Sequence, residues 1–350
     1  KQQAAYFKNS SAYAFQGRGK SSTHNLFLER GYQLLRDDGR LAFVIPSGIY
    51  TDLGTMELRQ MLLNQGRIDY LYNFSNERFF FPHVDHRVKF TLLGAQKGET
   101  SDGFWATFRF NPRVAVSPGD LIDFLADSEN LIFVRRKSLE KFSPDTLSLM
   151  EFQTRTDYST AETIYAEHPL LGETLESAWN VVLSQEVNIT SNRDILNTKQ
   201  QGFPVFEGKS IHQFDSNYGE TNYWLAESNI LKLSEAKQQS IKTFRLAHRR
   251  IARSTDERTL IASMIPQNSV CEVNATAIWL ENCEDEAPKL FLCAVLNSFV
   301  LDYVIRFKIT TTLNMFYLHQ LPVPRLTAGN PFFDAIVPRA ARLSCTSPAF

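Results

Sequence analysis

Between Asn25 and Pro46 the chain runs NLFLERGYQLLRDDGRLAFVIP. Leu28, Tyr32 and Leu35 recur at helical spacing with Phe27 and Leu34 beside them, so a helix here buries one face and leaves Glu29, Arg30 and Gln33 in water. Asp37-Asp38-Gly39 then supplies a turn in which Gly39 is the residue suited to positive φ, and Leu41-Ala42-Phe43-Val44-Ile45 follows as an unbroken apolar run closed by Pro46. A strand apolar on both faces suits a parallel sheet covered by helices on both sides. The pattern therefore predicts that the chain opens inside an α/β domain, near that domain's end.

Downstream, a second helix is predicted over Thr55–Leu63, burying Leu58, Met61 and Leu62 and ending at Gly66. Ile68–Phe74 reads as a strand, and Val88–Gln96 with Phe104–Phe110 as a hairpin. From Asn111 to about His168 the spacing turns helical, at Asp120–Ala126 and Glu129–Phe142, with Ser159-x-x-Glu162 as a capping box before a further short helix. Short strand-like runs, Val181–Leu183 and Pro204–Phe206, then alternate with polar loops. Leu290–Ile305 is the most apolar stretch, yet Asn297, Ser298 and Asp302 interrupt it and it is too short to span a bilayer, so no membrane association is expected. The paired prolines of Leu321-Pro322-Val323-Pro324 close this region before a last helical pattern at Phe332–Leu343. The expected divisions are 1–110, a helical connector 111–175, a second domain 176–325, and the start of a further helical segment 326–350.

Composition adds limits. The 37 basic and 38 acidic residues nearly cancel, which excludes a uniformly basic nucleic-acid binder but not a local basic face. Four cysteines without a CxxC pair or a zinc-ligand rhythm, and an opening without a signal-peptide core, fit reduced thiols and a cytoplasmic protein. Gly19-Lys20-Ser21 imitates the end of a phosphate loop, but Ala14 stands where the leading glycine belongs. Asn111-Pro112-Arg113 and Asn330-Pro331-Phe332 read as ordinary turns.

The local basic concentration lies in FRLAHRRIARSTDERTLIASMIP, where Arg245, Arg249, Arg250, Arg253 and Arg258 fall within fourteen positions. Guanidinium forks match phosphate oxygens and the paired acceptors of guanine, so these arginines are candidate DNA contacts. Asp256 and Glu257 favour an internal ion-pair network for some of them. Separately, Pro144-Asp145 followed by Glu207-x-Lys209 spells a metal-nuclease pattern, although the gap is long and Asp145 follows a helix break.

Asn25–Leu63, Phe81-Pro82, EGKSIHQFD, ARSTDERTLIASMIP and LNMFYLHQLPVP together resemble adenine-specific DNA methyltransferases of the type IIG restriction–modification and phage-defence kind. The likeness extends over most of the chain and is to that family's C-terminal half. It implies the tail of a doubly wound methyltransferase sheet followed by a mixed α+β target-recognition domain, with double-stranded DNA as partner. It also implies S-adenosyl-L-methionine as cofactor of the parent protein. The family's glycine-rich cofactor loop and Asn/Asp-Pro-Pro-Tyr/Phe motif are absent here, so this stretch alone is expected to hold no cofactor and to be inactive.

By the same resemblance Phe81, before Pro82, occupies the place of the aromatic that stacks on a flipped adenine; the competing reading is that Phe79, Phe80 and Phe81 fill core. Lys209 and His212 correspond to residues near the DNA side, as does the polar patch of Thr310, Thr311, Thr312 and Asn314. Two other functions stay open beside this one: a non-catalytic DNA specificity module, and a metal-dependent nuclease using Asp145, Glu207 and Lys209.

Overall fold

In the computed structural model, Thr23–Leu34 forms helix α1, and all residues are described except 1–5, 8–9, 18–21, 77–79, 87, 111–117, 282, 284 and 310. The phosphate-loop imitation at Gly19-Lys20-Ser21, the turn at Asn111-Pro112-Arg113, Phe79 and Thr310 lie outside the described residues. The chain divides into two units, Lys1–Ala166 and Glu167–Phe350.

In the first unit α1 buries Leu28 and Tyr32, as its spacing predicts, but Phe27 and Leu34 are exposed. Glu29, expected in water, is fully buried because its carboxylate accepts from the Phe15 amide at 3.0 Å and from Gln16 Nε2 at 2.5 Å. At the following turn Asp38, with φ 61°, takes the left-handed conformation that Gly39 was expected to take. Gly39 is needed for space instead, since a Cβ there would lie 2.7 Å from the Arg36 carbonyl oxygen.

Strand β1 (Arg40–Pro46) leads through helix α2 (Met56–Asn64) to β2 (Gly66–Ser75), β3 (Lys89–Lys97) and β4 (Gly103–Phe110). Helix α3 (Pro118–Ala126), strand β5 (Ile132–Arg135), and helices α4 (Arg136–Phe142) and α5 (Arg155–Glu167) follow. The sheet order is β1-β3-β2-β4-β5.

This is a mixed α/β arrangement, with three differences from the sequence pattern. Among the described residues β1 pairs only with β3, antiparallel from Arg40↔Gln96 to Pro46↔Phe90, and four of its residues are exposed; the parallel ladder is β2 with β4, at Tyr70↔Trp105. β3 and β4 do not form the expected hairpin, because β2 lies between them. Ile132–Arg135, expected as helix, is the fifth strand, paired antiparallel with β4.

The cap of α5 also differs. Thr154 and Asp157 bond reciprocally, each backbone N–H to the other's side chain at 2.9 and 3.0 Å, so Ser159 and Glu162 lie inside the helix. A β-bulge at Asp69 turns Tyr70 to the side of the sheet where Trp105 and Phe133 are exposed, and Leu71 to the buried side.

The second unit contains β6 (Asn180–Ser184), β7 (Leu196–Asn197), β8 (Phe203–Phe206), β9 (Trp224–Leu225) and helix α6 (Glu235–Ile241). Then come β10 (Arg245–Arg249), β11 (Ala262–Ile265), β12 (Val270–Cys271) and β13 (Ala275–Glu281). Helices α7 (Ala287–Leu296), α8 (Phe299–Arg306), α9 (Met315–His319) and α10 (Pro331–Ser344) complete it.

One sheet has the order β11-β10-β13-β6 and is antiparallel throughout; the other, β12-β8-β9-β7, has one parallel pair, β12 with β8. Phe206, Ile211, Ala247, Ile265, Cys271 and Ala277 form a core between them. The apolar stretch read from sequence is the pair α7–α8, bent by 54° at Asn297-Ser298, where Asn297 bonds both the N–H and the carbonyl of Ala262. Among the described residues no single helix is long and apolar enough to cross a membrane. Helix α10 packs on α7, with Phe333 and Phe291 rings 5.2 Å apart.

Candidate nucleic-acid interface

In the first unit, the loop after β2 carries Phe81. The residue is 40% exposed and its ring stands at right angles to that of Phe90, centroids 5.0 Å apart, so it is packed on one side and partly open to solvent. Asn76, fully buried, holds this loop in shape. Its Oδ1 accepts from the Phe81 N–H at 2.9 Å, and its Nδ2 donates to the carbonyls of Phe81 and Val84 at 3.1 and 2.9 Å. Nothing in the local sequence pattern marks Asn76 as the residue that fixes Phe81.

In the second unit, burial and hydrogen-bond partners sort the arginine cluster. Arg245, on β10, is 0% exposed, with Nε 3.1 Å and Nη2 2.9 Å from the two oxygens of Glu186; the expected DNA contact at Arg245 is corrected, because no part of it reaches solvent. Arg249 is half-buried, and its Nε and Nη2 donate to the carbonyls of Gly208 and Ile211 at 2.9 and 2.5 Å. Arg258 lies over the Phe299 ring at 4.6 Å and donates to the Asn297 carbonyl, so it pins α7 to α8. Arg249 and Arg258 are therefore braces more than reading groups. Arg250 is half-buried, 3.3 Å from Asn314 Oδ1, and Arg253 is exposed.

The remaining expected contacts gather around Arg249. Lys209 is exposed and pairs with Glu207 at 3.1 Å. His212 packs on the exposed Tyr218, ring centroids 4.6 Å apart; burial, with the Arg249 charge beside it, pushes the imidazole below its usual range. Thr312 bridges the backbone of Ile251, and the Leu313 N–H donates to the Arg250 carbonyl at 2.8 Å, which brings the Thr311–Asn314 loop to the same surface. Glu207, Gly208, Lys209, Arg249, Ile251 and Asn274 line a cleft of about 320 Å³ there. Gly208 is required, since a Cβ would lie 2.7 Å from the Asn274 carbonyl oxygen. Tyr218, Ile251 and Asn274 were not singled out by sequence; only Ile251, an aliphatic between arginines, left a signal.

For the nuclease pattern, Asp145 belongs to the first unit and Glu207 and Lys209 to the second. Glu207 is already engaged by Lys209, by Asn222 Nδ2 at 3.3 Å and by its capping role at Gly208–Ser210. Among the described residues no group of three or more His, Cys, Asp or Glu side chains is placed to hold a metal ion.

Residues 1–80 match the sequence profile of the Eco57I restriction-modification methylase family. No curated protein sequence matches the chain. Among solved structures, the type IIG restriction endonuclease BpuSI aligns over 97% of this chain and 46% of its own, at 14% identity and a TM-score of 0.34. The type IIL restriction-modification enzyme MmeI, in complex with DNA, aligns over 96% and 45%, at 10% identity and a TM-score of 0.49. A DrdV–DNA complex aligns over 98% and 41%, at 10% identity and a TM-score of 0.46. The chain thus spans less than half the length of each of these proteins. Its first 80 residues are thus similar in sequence to restriction-modification methylases.

Proposed function

We propose that this chain is the DNA-binding C-terminal portion of an S-adenosylmethionine-dependent, adenine-specific DNA methyltransferase of the type IIG restriction–modification kind. The second unit is the target-recognition domain. The observation that carries this reading is that Lys209 lines a cleft with Arg249 and Ile251, that His212 lies beside the Arg249 charge, and that Asn314 and Thr312 meet Arg250 and the Ile251 backbone, while Arg253 is exposed. The methylase match over residues 1–80 supports it.

Lys209 and Arg253 supply charge to phosphates, and Thr311, Thr312 and Asn314 offer hydroxyl and amide groups to the backbone or base edges. Phe81, partly exposed, stacks on an extruded base, a contact worth roughly 1–3 kcal/mol. No step of methyl transfer is derived from this chain.

The test is duplex binding followed by fluorescence anisotropy from about 50 to 200 mM salt, where log K falls with a slope of about −0.9 per phosphate contacted. Lys209→Ala with Arg253→Ala is expected to make that slope shallower by about two contacts' worth. Absence of duplex binding at the lowest salt would overturn the proposal.

A further inference from the structure

Single exposed aliphatics are ordinary on protein surfaces. Ile251 differs in how firmly it is held and in what surrounds it. Its side chain is 55% exposed, yet its backbone bridges Thr312, and the residues before it are tied on both sides. The Arg250 N–H donates to the Asn274 carbonyl at 2.9 Å, the Leu313 N–H to the Arg250 carbonyl at 2.8 Å, and the Arg249 N–H to the Ile261 carbonyl at 2.9 Å. A β-branched side chain has restricted χ1 freedom, so its methyl groups are presented with little entropy left to lose on contact.

The neighbours that line the same cleft are charged or polar, or have no side chain. Arg249 donates to the Gly208 and Ile211 carbonyls, and Lys209 lies against Glu207. Gly208 has no side chain, so the apolar contact that the cleft offers comes from Ile251. A ligand seated there presents a small apolar group to Ile251 and polar edges to the cleft wall. Among the groups on a DNA duplex, the thymine 5-methyl, beside the O4 acceptor in the major groove, has this chemistry.

We infer that Ile251 is a specificity-determining residue that reads the 5-methyl group of a thymine in the recognised site. The inference rests on the proposal that this surface binds duplex DNA, and it adds a base-edge preference that phosphate contacts from Lys209 and Arg253 do not supply, because phosphates carry no sequence information.

The test uses the full chain and a random-sequence duplex pool. Bound sequences are enriched, and the enriched duplex is then prepared with thymine or with deoxyuridine at each position. For the unaltered protein, removing the methyl at one thymine position is expected to weaken binding about fourfold, the effect of one buried methyl group. Ile251→Ser is expected to bind both forms alike, and Ile251→Val to keep the discrimination. Equal binding of both forms by the unaltered protein, or discrimination that survives Ile251→Ser, overturns the assignment while leaving DNA binding in place. Failure to bind any duplex overturns the DNA-binding reading and the assignment with it.

Discussion

Arg245 and Glu186 form a two-pronged ion pair in which neither side chain is exposed, and the same carboxylate accepts the Cys271 N–H at 2.6 Å and the Ser240 hydroxyl at 3.1 Å. Burial pushes the Cys271 thiol up to about 12, so it stays neutral beside the pair. Removing one partner leaves a buried charge without compensation. Arg245→Ala is expected to lower unfolding free energy by about 3–5 kcal/mol in urea titrations. Lys209→Ala, on the surface, is expected to change it by no more than about 1 kcal/mol. Similar losses for the two variants would contradict the core placement of Arg245.

His248, opposite Thr276 on β13, is fully buried, and burial lowers its pKa from 6.5 to about 4. Because the folded value lies below the unfolded one, the unfolded chain binds a proton first as pH falls. Stability is therefore expected to decline between about pH 6.5 and pH 4, by up to about 3 kcal/mol from this group, and the decline ceases below both values. Melting curves of the protein and of His248→Asn across that range should differ in slope. Parallel curves would show that His248 titrates normally.

Asn76 makes three bonds across the Phe81 loop from a fully buried position. Asn76→Ala strands those groups and is expected to raise hydrogen-exchange rates at Phe81 and Val84, at a cost of about 1–3 kcal/mol. In a protein that also holds the cofactor and catalytic motifs, Phe81→Ala is expected to slow methylation more than it weakens DNA binding. Unchanged methylation would assign Phe81 to packing alone.

Arg249 and Arg253 lie on one short stretch but hold different partners. Arg253→Ala is expected to weaken duplex binding without loss of stability, since its side chain is exposed. Arg249→Ala is expected to lower stability, because the Gly208 and Ile211 carbonyls lose their donor. Paired measurements of urea midpoint and duplex affinity separate the two, and the reverse outcome would invert the assignment of brace and contact.

The elements legible in the sequence were those whose burial follows from local spacing. Leu28 with Tyr32, and Leu58 with Met61 and Leu62, needed only a helical period, whereas Leu290–Ile305 read as one apolar stretch and its division into α7 and α8 was not foreseen. What was illegible depends on distant partners. Glu29 is buried because amide donors arrive from Phe15 and Gln16, and no period along α1 reveals that. Alternation identified β3 and β4 as strands but carries no information on which strand lies between them. The arginines were legible as a concentration of charge, whereas the burial of Arg245 depends on Glu186, 59 positions away, and no local period along β10, which is buried on both faces, reveals it.

The bulge at Asp69 has a consequence for how tolerant the first sheet is to change. Ile68 faces Ala95 and Tyr70 faces the next residue, Gly94, so Asp69 is the one residue the ladder does not count, and deleting it would leave Ile68 and Leu71 together on the buried side of a regular strand. Deleting Tyr72 from the regular part of the same strand would instead make Leu71 and Asn73 neighbours and send one of them to the opposite side. Loss of one residue should thus be tolerated at Asp69 and damaging three positions further on.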